Sequence, residues 1–413
     1  MKKVLALMFA AVLCGALGCA QRPVGSDAAP IEGSTPPLIT LEAAALALTR
    51  QRLASDDVAL RAPFAALKRR ADQALLTAPR SVTHKTSMPP SGSKNDYMSM
   101  GPYWWPNPAT PDGLPYVQRD GERNPQSMGN ALDSIRMQAM LADTRDLALA
   151  HYFTGDARYA HKAAAVIRTW FLDPATRMNP SLRYGQGIPG IVDGRGIGII
   201  DTRDLWLVID AVALIAPNAM TTAEQKALRQ WFADYADWLD TSQIGRDEAA
   251  ARNNHGMFFD AQLAAYWLFV GQTERARKLV FDAQAHRFAV QIDTEGRMPL
   301  ELARTRPFHY HTFTLEAATR LARYGQILEV DLWGAVIDGK SLRAVLNVVA
   351  GTVVDPGSWP NATALEPTPP LASALPVLLI AQRAYPRHGF DTALVALKDL
   401  SPDNVAWLMW PVP

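Results

Sequence analysis

Apolar residues recur at three- and four-residue spacing through most of the chain beyond Leu38, which predicts helices almost without relief. The runs are Leu41 to Arg50, Val58 to Leu76, Ala131 to Tyr152, Ala157 to Phe171, Thr202 to Ile215 and Thr222 to Leu239. Further runs follow from Met257 to Val270, Thr273 to Ala285, Phe313 to Leu328, Leu342 to Val349 and Leu371 to Ala384. Asp201-Thr202 precedes one of them, and Thr221 with Glu224 offers a capping box for the next. Alternating strand patterns are scarce, and Gly296 to Pro299 reads as a turn. So many helices in antiparallel pairs predict an all-α fold, an (α/α) toroid with long aromatic loops over one end. No repeat is strict enough for a helical solenoid. No linker interrupts the body, so 38–413 is expected to form one domain.

Two segments break the helical pattern with chemistry. The first is Arg252-Asn253-Asn254-His255-Gly256, and the second runs from Glu301 through Arg304, Arg306 and His309 to Tyr310 and His311. Each leads straight into an apolar helical run. Polar groups at the mouth of a helix sit beside unpaired N–H donors and a positive dipole end, a setting for a carboxylate. Asn253 or Asn254 alone would be read as a helix cap. The cluster of carboxamides, histidines and arginines reads as a site.

A long irregular segment lies between the second and third predicted helices, from about Arg80 to Asn130. It carries Tyr97-Met98-Ser99-Met100-Gly101-Pro102-Tyr103-Trp104-Trp105-Pro106-Asn107-Pro108. A loop of that length and aromatic content is functional rather than disordered, and Tyr103, Trp104 and Trp105 can stack on sugar rings or plug the barrel. The glycine-rich stretch from Tyr184 to Gly198 is not a nucleotide loop, since no strand precedes it and no acidic partner follows at the required distance.

These residues resemble the alginate lyase family of polysaccharide lyases. The likeness rests on the Tyr97 to Pro108 stretch with Asp112-Gly113-Leu114-Pro115-Tyr116, on Asn253-Asn254-His255-Gly256, and on Arg304 six residues before Tyr310. It implies an (α/α) toroid and β-elimination on a 1,4-linked uronan, alginate first and glucuronan second. By the same resemblance, Asn254, His255, Arg304 and Tyr310 are the catalytic residues, and Glu248 and Gln186 assist substrate binding. Arg306 and His309 join the aromatic trio as substrate-binding candidates.

The chemistry suits those residue types. Removing the C5 proton beside a charged C6 carboxylate requires that charge to be neutralised and the enolate-like intermediate to be held by fixed donors. An amide, an imidazole and a guanidinium are such donors. Tyr310 can serve as acid and base if neighbouring cations, among them Arg304, Arg306, His309 and His311, lower its pKa. One tyrosine in both roles fits a syn elimination, and His255 as base with Tyr310 as acid fits an anti one. The His309/His311 pair lacks an acidic third ligand at a familiar spacing, so no metal or other cofactor is expected. Two rivals stand beside the lyase. One is an α/α-barrel glycoside hydrolase using Asp201, Asp247, Glu248 or Glu301, and the other is a non-catalytic polysaccharide-binding lipoprotein.

Charge and cysteine content narrow the partners. Of 413 residues, 41 are Lys or Arg and 40 are Asp or Glu, with no basic run, so an acidic polysaccharide rather than nucleic acid is the expected partner. The chain opens Met1-Lys2-Lys3 with an apolar run to Leu17, the form of a secretory signal over 1–19. Ala16-Leu17-Gly18-Cys19 resembles a bacterial lipobox, which implies a lipid anchor at Cys19 and a periplasmic or outer-membrane location; ordinary cleavage near Ala20 is the competing reading. Residues 20–37 read as a flexible tether. Cys14 and Cys19 are the chain's two cysteines, so the body has no disulfide. A monomer is expected.

Overall fold

The computed structural model describes residues 37–387 and 389–412; the signal sequence, Cys19 and most of the tether lie outside the described residues. The helices are α1 (Ala43–Ala54), α2 (Val58–Leu76), α3 (Ser134–Thr154), α4 (Ala157–Ile167), α5 (Trp206–Ala219), α6 (Thr222–Thr241), α7 (Gln243–Ala249), α8 (Asn254–Val270) and α9 (Thr273–Ala283). They continue with α10 (Ala289–Gln291), α11 (Pro299–Leu302), α12 (Pro307–Leu328), α13 (Leu342–Val354), α14 (Leu375–Ala384), α15 (Asp391–Leu400) and α16 (Ala406–Met409). The capping box at Thr221 and Glu224 forms as expected.

Burial sorts these helices into an inner and an outer layer. Nearly every residue of α8 is buried, and α3, α5 and α12 are buried on most of their surface. A helix apolar on all sides belongs inside. The inner helices touch in sequence, α3 on α5, α5 on α8, α8 on α12 and α12 on α14. Helices α4, α6 and α9 bury one face and pack outside them, α4 on α3 and α5, α6 on α8, and α9 on α8 and α12. The result is an (α/α) toroid, and α16 ties its two ends together by packing on α1, α2 and α14. One hydrophobic cluster runs from Ile39 to Trp410.

The segment between α2 and α3 is less irregular than its composition suggests. It contributes β1 (Met98–Met100), β2 (Trp104–Trp105) and β3 (Val117–Gln118). Strand β1 pairs in parallel with β4 (Tyr184–Gly187), inside the stretch read as a glycine-rich loop. Strands β2 and β3 form an antiparallel ribbon, Trp104 opposite Gln118 and Trp105 opposite Val117. Strands of two to four residues are too short for an alternating pattern to register. A buried ion pair anchors β1, with Lys85 Nζ 2.9 Å from Asp133 and the same carboxylate accepting Met98 N–H at 3.0 Å.

Candidate active site

The site is assembled where α8 and α12 begin. Arg287 is buried, pairs with Asp260 at 2.7 Å, and donates to the carbonyls of Ala249 and Ala251 at 2.8 Å each, which fixes the turn into α8. Glycine is required at position 256, because a Cβ there would lie 2.0 Å from the Ala251 carbonyl oxygen and 2.4 Å from Arg287 Nη1. Asn253 caps the helix, its Oδ1 accepting from His255 N–H at 3.3 Å.

Both helix mouths are already filled by protein carboxylates. Glu301, 1% exposed, accepts the Asn254 backbone N–H at 2.6 Å and its side-chain Nδ2 at 2.9 Å. Glu366 accepts from Phe308 N–H at 2.5 Å and His309 N–H at 3.0 Å at the start of α12. The expectation that these helix ends receive an outside carboxylate is therefore corrected: Glu301 and Glu366 occupy the backbone donors, and side chains must do the work. Asn254 Oδ1 remains buried and unpaired.

A cavity of about 610 Å³ opens over the two helix starts, lined by Tyr103, Trp104, Asn254, His255, Arg304 and Tyr310 among others. Arg304 Nη2 donates to the Tyr310 hydroxyl at 2.8 Å, and its guanidinium carbon lies 3.8 Å from the Tyr310 ring centre. Tyr103, from the aromatic loop, shares a hydrogen bond with the same hydroxyl at 2.9 Å. Arg304 also reaches Asp120, through Nη2 at 2.7 Å and Nε at 3.3 Å. On the α8 side, His255 Nδ1 meets buried Glu248 at 2.7 Å, leaving Nε2 as the ring nitrogen open to a ligand. Neutral or charged, such an imidazole is held in one orientation by the carboxylate behind it.

The electrostatics correct one expectation. Burial first, and then Tyr103, push the Tyr310 pKa upward, with Arg304 opposing. Of the four cations read from sequence as lowering it, Arg304 alone hydrogen-bonds the hydroxyl. Arg306 is exposed and does not line the cavity. His309 lines it, but burial and the arginines around it keep its pKa low. His311 points into the core against Trp359, with both ring nitrogens unpaired, and burial lowers its pKa to about 4. Tyr310 thus carries its proton in the free site.

The remaining candidates separate clearly. Trp104 lines the cavity beside Arg195, whose guanidinium lies 5.7 Å from its ring centre. Trp105 does not line it; its Nε1 donates to the Glu122 carbonyl at 2.9 Å and Arg119 covers its ring at 5.2 Å. Consecutive residues of a strand face opposite sides, so one ribbon cannot present both tryptophans to one cavity. Gln186 lines the cavity with a left-handed φ of 47°, held by Nε2 donating to Asp201 at 3.0 Å and by Ser99 accepting its N–H at 2.8 Å. A non-glycine residue in that region is strained and persists only when its surroundings fix it. Asp201 does not start α5, which begins at Trp206; it receives hydrogen bonds from Tyr97, Ser99 and Gln186 instead. Glu248 does not line the cavity and supports His255 from behind.

The hydrolase carboxylates are likewise engaged elsewhere: Asp201 in that network, Glu248 on His255, Glu301 on Asn254, and exposed Asp247 on Gln243. Sequence reasoning did not assign Asp120, Arg287, Arg195 or Glu366 a part in the site. Asp120 alone carried a signal, as an acid between Arg119 and Arg123 in the aromatic loop.

The helical toroid holds a buried tyrosine against an arginine, with an asparagine and a carboxylate-backed histidine lining the same cavity, and its family match and its 34% identical relative make it a polysaccharide lyase. The chain belongs to the alginate lyase family, whose family model matches residues 81–359. An alginate lyase from Bacteroides ovatus of known crystal structure is 34% identical, with 92% of this chain and 100% of that one covered and a TM-score of 0.85. Alginate lyase A1-III from Sphingomonas species A1 superposes with a TM-score of 0.55 at 16% identity, covering 91% of this chain and 98% of that one. A tyrosine-to-phenylalanine variant of that enzyme, complexed with a tetrasaccharide, gives 0.54 at 13% identity, covering 89% and 94%. At such identities the Sphingomonas structures show the shared fold alone. No curated protein matches the chain.

Proposed function

We propose that this lyase cleaves 1,4-linked uronans by β-elimination, with alginate as its best substrate and glucuronan next. Asn254, His255 and Arg304 neutralise the C6 carboxylate and hold the enolate-like intermediate. The C5 proton is removed, the C4–O4 bond breaks, a 4,5 double bond forms, and Tyr310 gives its proton to the leaving O4. The observation that carries this reading is the Arg304 Nη2 contact of 2.8 Å with the Tyr310 hydroxyl, in one cavity with Asn254 and His255.

The acid role needs no prior ionisation, since burial holds the Tyr310 proton in place. The base role requires Tyr310 to lose its proton to water first; Arg304 stabilises the resulting phenolate, which then takes the C5 proton and passes it to O4. A C5 hydrogen on the same side as O4 falls to Tyr310, and one on the opposite face falls to His255 Nε2. The Bacteroides relative is named an alginate lyase, which supports an acidic polysaccharide as the ligand.

The test is purified protein on a panel of alginate, glucuronan and a neutral glucan, following ultraviolet absorbance and reducing ends together. Absorbance rising in step with reducing ends on the uronans, and no reaction on the glucan, is the expected result. Reducing ends without absorbance would return the hydrolase reading, and no new ends on any polymer the binding protein.

A further inference from the structure

The acid that holds Arg304 comes from far away in the chain. Asp120 sits in the aromatic loop 184 residues before Arg304, yet its carboxylate takes both Nη2 at 2.7 Å and Nε at 3.3 Å of that guanidinium. The third ligand of the same carboxylate is Thr305 Oγ1 at 3.1 Å, from the residue next to Arg304. Gly121 makes the approach possible: its φ is +78°, and a Cβ there would lie 2.4 Å from Thr305 Oγ1 and 2.8 Å from Leu365. The loop is thus pressed against the catalytic segment at the point where it delivers the carboxylate.

Arg304 therefore has two masters. One face of its fork is paired with a negative charge, while the shared Nη2 touches the Tyr310 hydroxyl at 2.8 Å. Burial works against ionised Asp120, but the bonds from Arg304 and Thr305 prevail and hold its carboxyl below the usual range. A second carboxylate, Glu301, lies close enough to Arg304 to act on it electrostatically, although its bonds go to Asn254. The other groups around Tyr310 are Tyr103 on the loop, His309 with its ring centre 5.1 Å away, and Arg123, Arg203, Asn254 and His255 on the cavity wall. Within this set Asp120 is the acid bonded to Arg304.

We propose that Asp120 is a positioning residue for the elimination: it holds the Arg304 guanidinium against the Tyr310 hydroxyl and compensates its charge, and so sets the pH range over which Tyr310 exchanges its proton. The proposal rests on the reading of Tyr310 as the proton-moving group. An uncompensated Arg304 would favour phenolate more strongly. Because removing Asp120 lowers the Tyr310 pKa, the limb of the pH–rate profile governed by Tyr310 moves to lower pH whether the tyrosine serves as acid or as base.

The experiment compares the full chain with Asp120→Asn and Asp120→Ala on alginate across pH, with Tyr310→Phe as reference and circular dichroism as the check on folding. Asp120→Asn keeps the size and an acceptor for Nη2 but loses the charge. It is expected to shift the Tyr310 limb down by about one pH unit, and ultraviolet difference titration should show the same shift in a signal absent from Tyr310→Phe. Asp120→Ala also loses the position, and kcat should fall by about tenfold to a hundredfold with KM little changed. Should Asp120→Ala not fold, Asp120→Asn decides alone. An unmoved profile in Asp120→Asn, or a raised KM with unchanged kcat, overturns the positioning role and leaves the lyase reading standing. A parent chain that forms no unsaturated product overturns the lyase reading, and the Asp120 proposal with it.

Discussion

At the scale of single residues, the site is a set of donors each held by an acid behind it: Glu301 behind Asn254, Glu248 behind His255 and Asp120 behind Arg304. Fixed donors of this kind stabilise developing charge without reorganising during the reaction. Tyr310→Phe removes the one hydroxyl that touches Arg304 and Tyr103 together, so turnover should fall by at least about two orders of magnitude while the melting temperature stays near that of the parent. Steady-state rates on alginate check this, and near-parental turnover would return the proton transfer to His255. Arg304→Lys keeps the charge but cannot bond Asp120 at two points and Tyr310 at a third. A large loss of kcat is expected, of the same order as Tyr310→Phe rather than a mild change. The identities of these residues were legible in the sequence, because carboxamide, imidazole, guanidinium and phenol cluster at two helix starts. Their partners were not: Asp120 and Glu301 reach Arg304 and Asn254 across 184 and 47 positions of chain. Nor was the direction of the Tyr310 shift, since burial is set by packing and outweighs the nearby cation.

At the scale of elements, helices α8 and α12 position the chemistry and spend their own N-terminal donors on Glu301 and Glu366. The start of α8 has no room for a side chain at position 256. Gly256→Ala is expected to lower stability by about 1–3 kcal/mol, because Ala251 and the buried Arg287 must move to admit a methyl group. Chemical denaturation measures it, and an unchanged midpoint would contradict the packing described. Helix existence was legible from period alone, and the runs beginning at Val58, Ala157, Thr222, Thr273 and Leu342 start where the pattern begins. The start of α5 was misplaced because Asp201 is claimed by Tyr97, Ser99 and Gln186, long-range partners that no local pattern records. The split between Trp104 and Trp105 was within reach, since a two-residue period sends them to opposite faces.

At the scale of the whole molecule, the toroid supplies a rigid floor and the segment between α2 and α3 supplies the roof. Tyr103 and Trp104 descend from that roof into the cavity, while Trp105 props the ribbon from outside it. Trp104→Ala should therefore raise KM on alginate more than it lowers kcat, and Trp105→Ala should change KM less. Initial rates over a range of polymer concentrations separate the two, and equal effects would place both rings on the substrate. The roof was recognised from its length and aromatic content, and its strands were missed because they are too brief to show a period. The central claim, elimination rather than hydrolysis, is tested most directly by the masses of the oligosaccharides released from alginate. The account predicts that each newly formed non-reducing end is lighter by one water than a saturated uronate end. Fragments whose new ends are all saturated would contradict it.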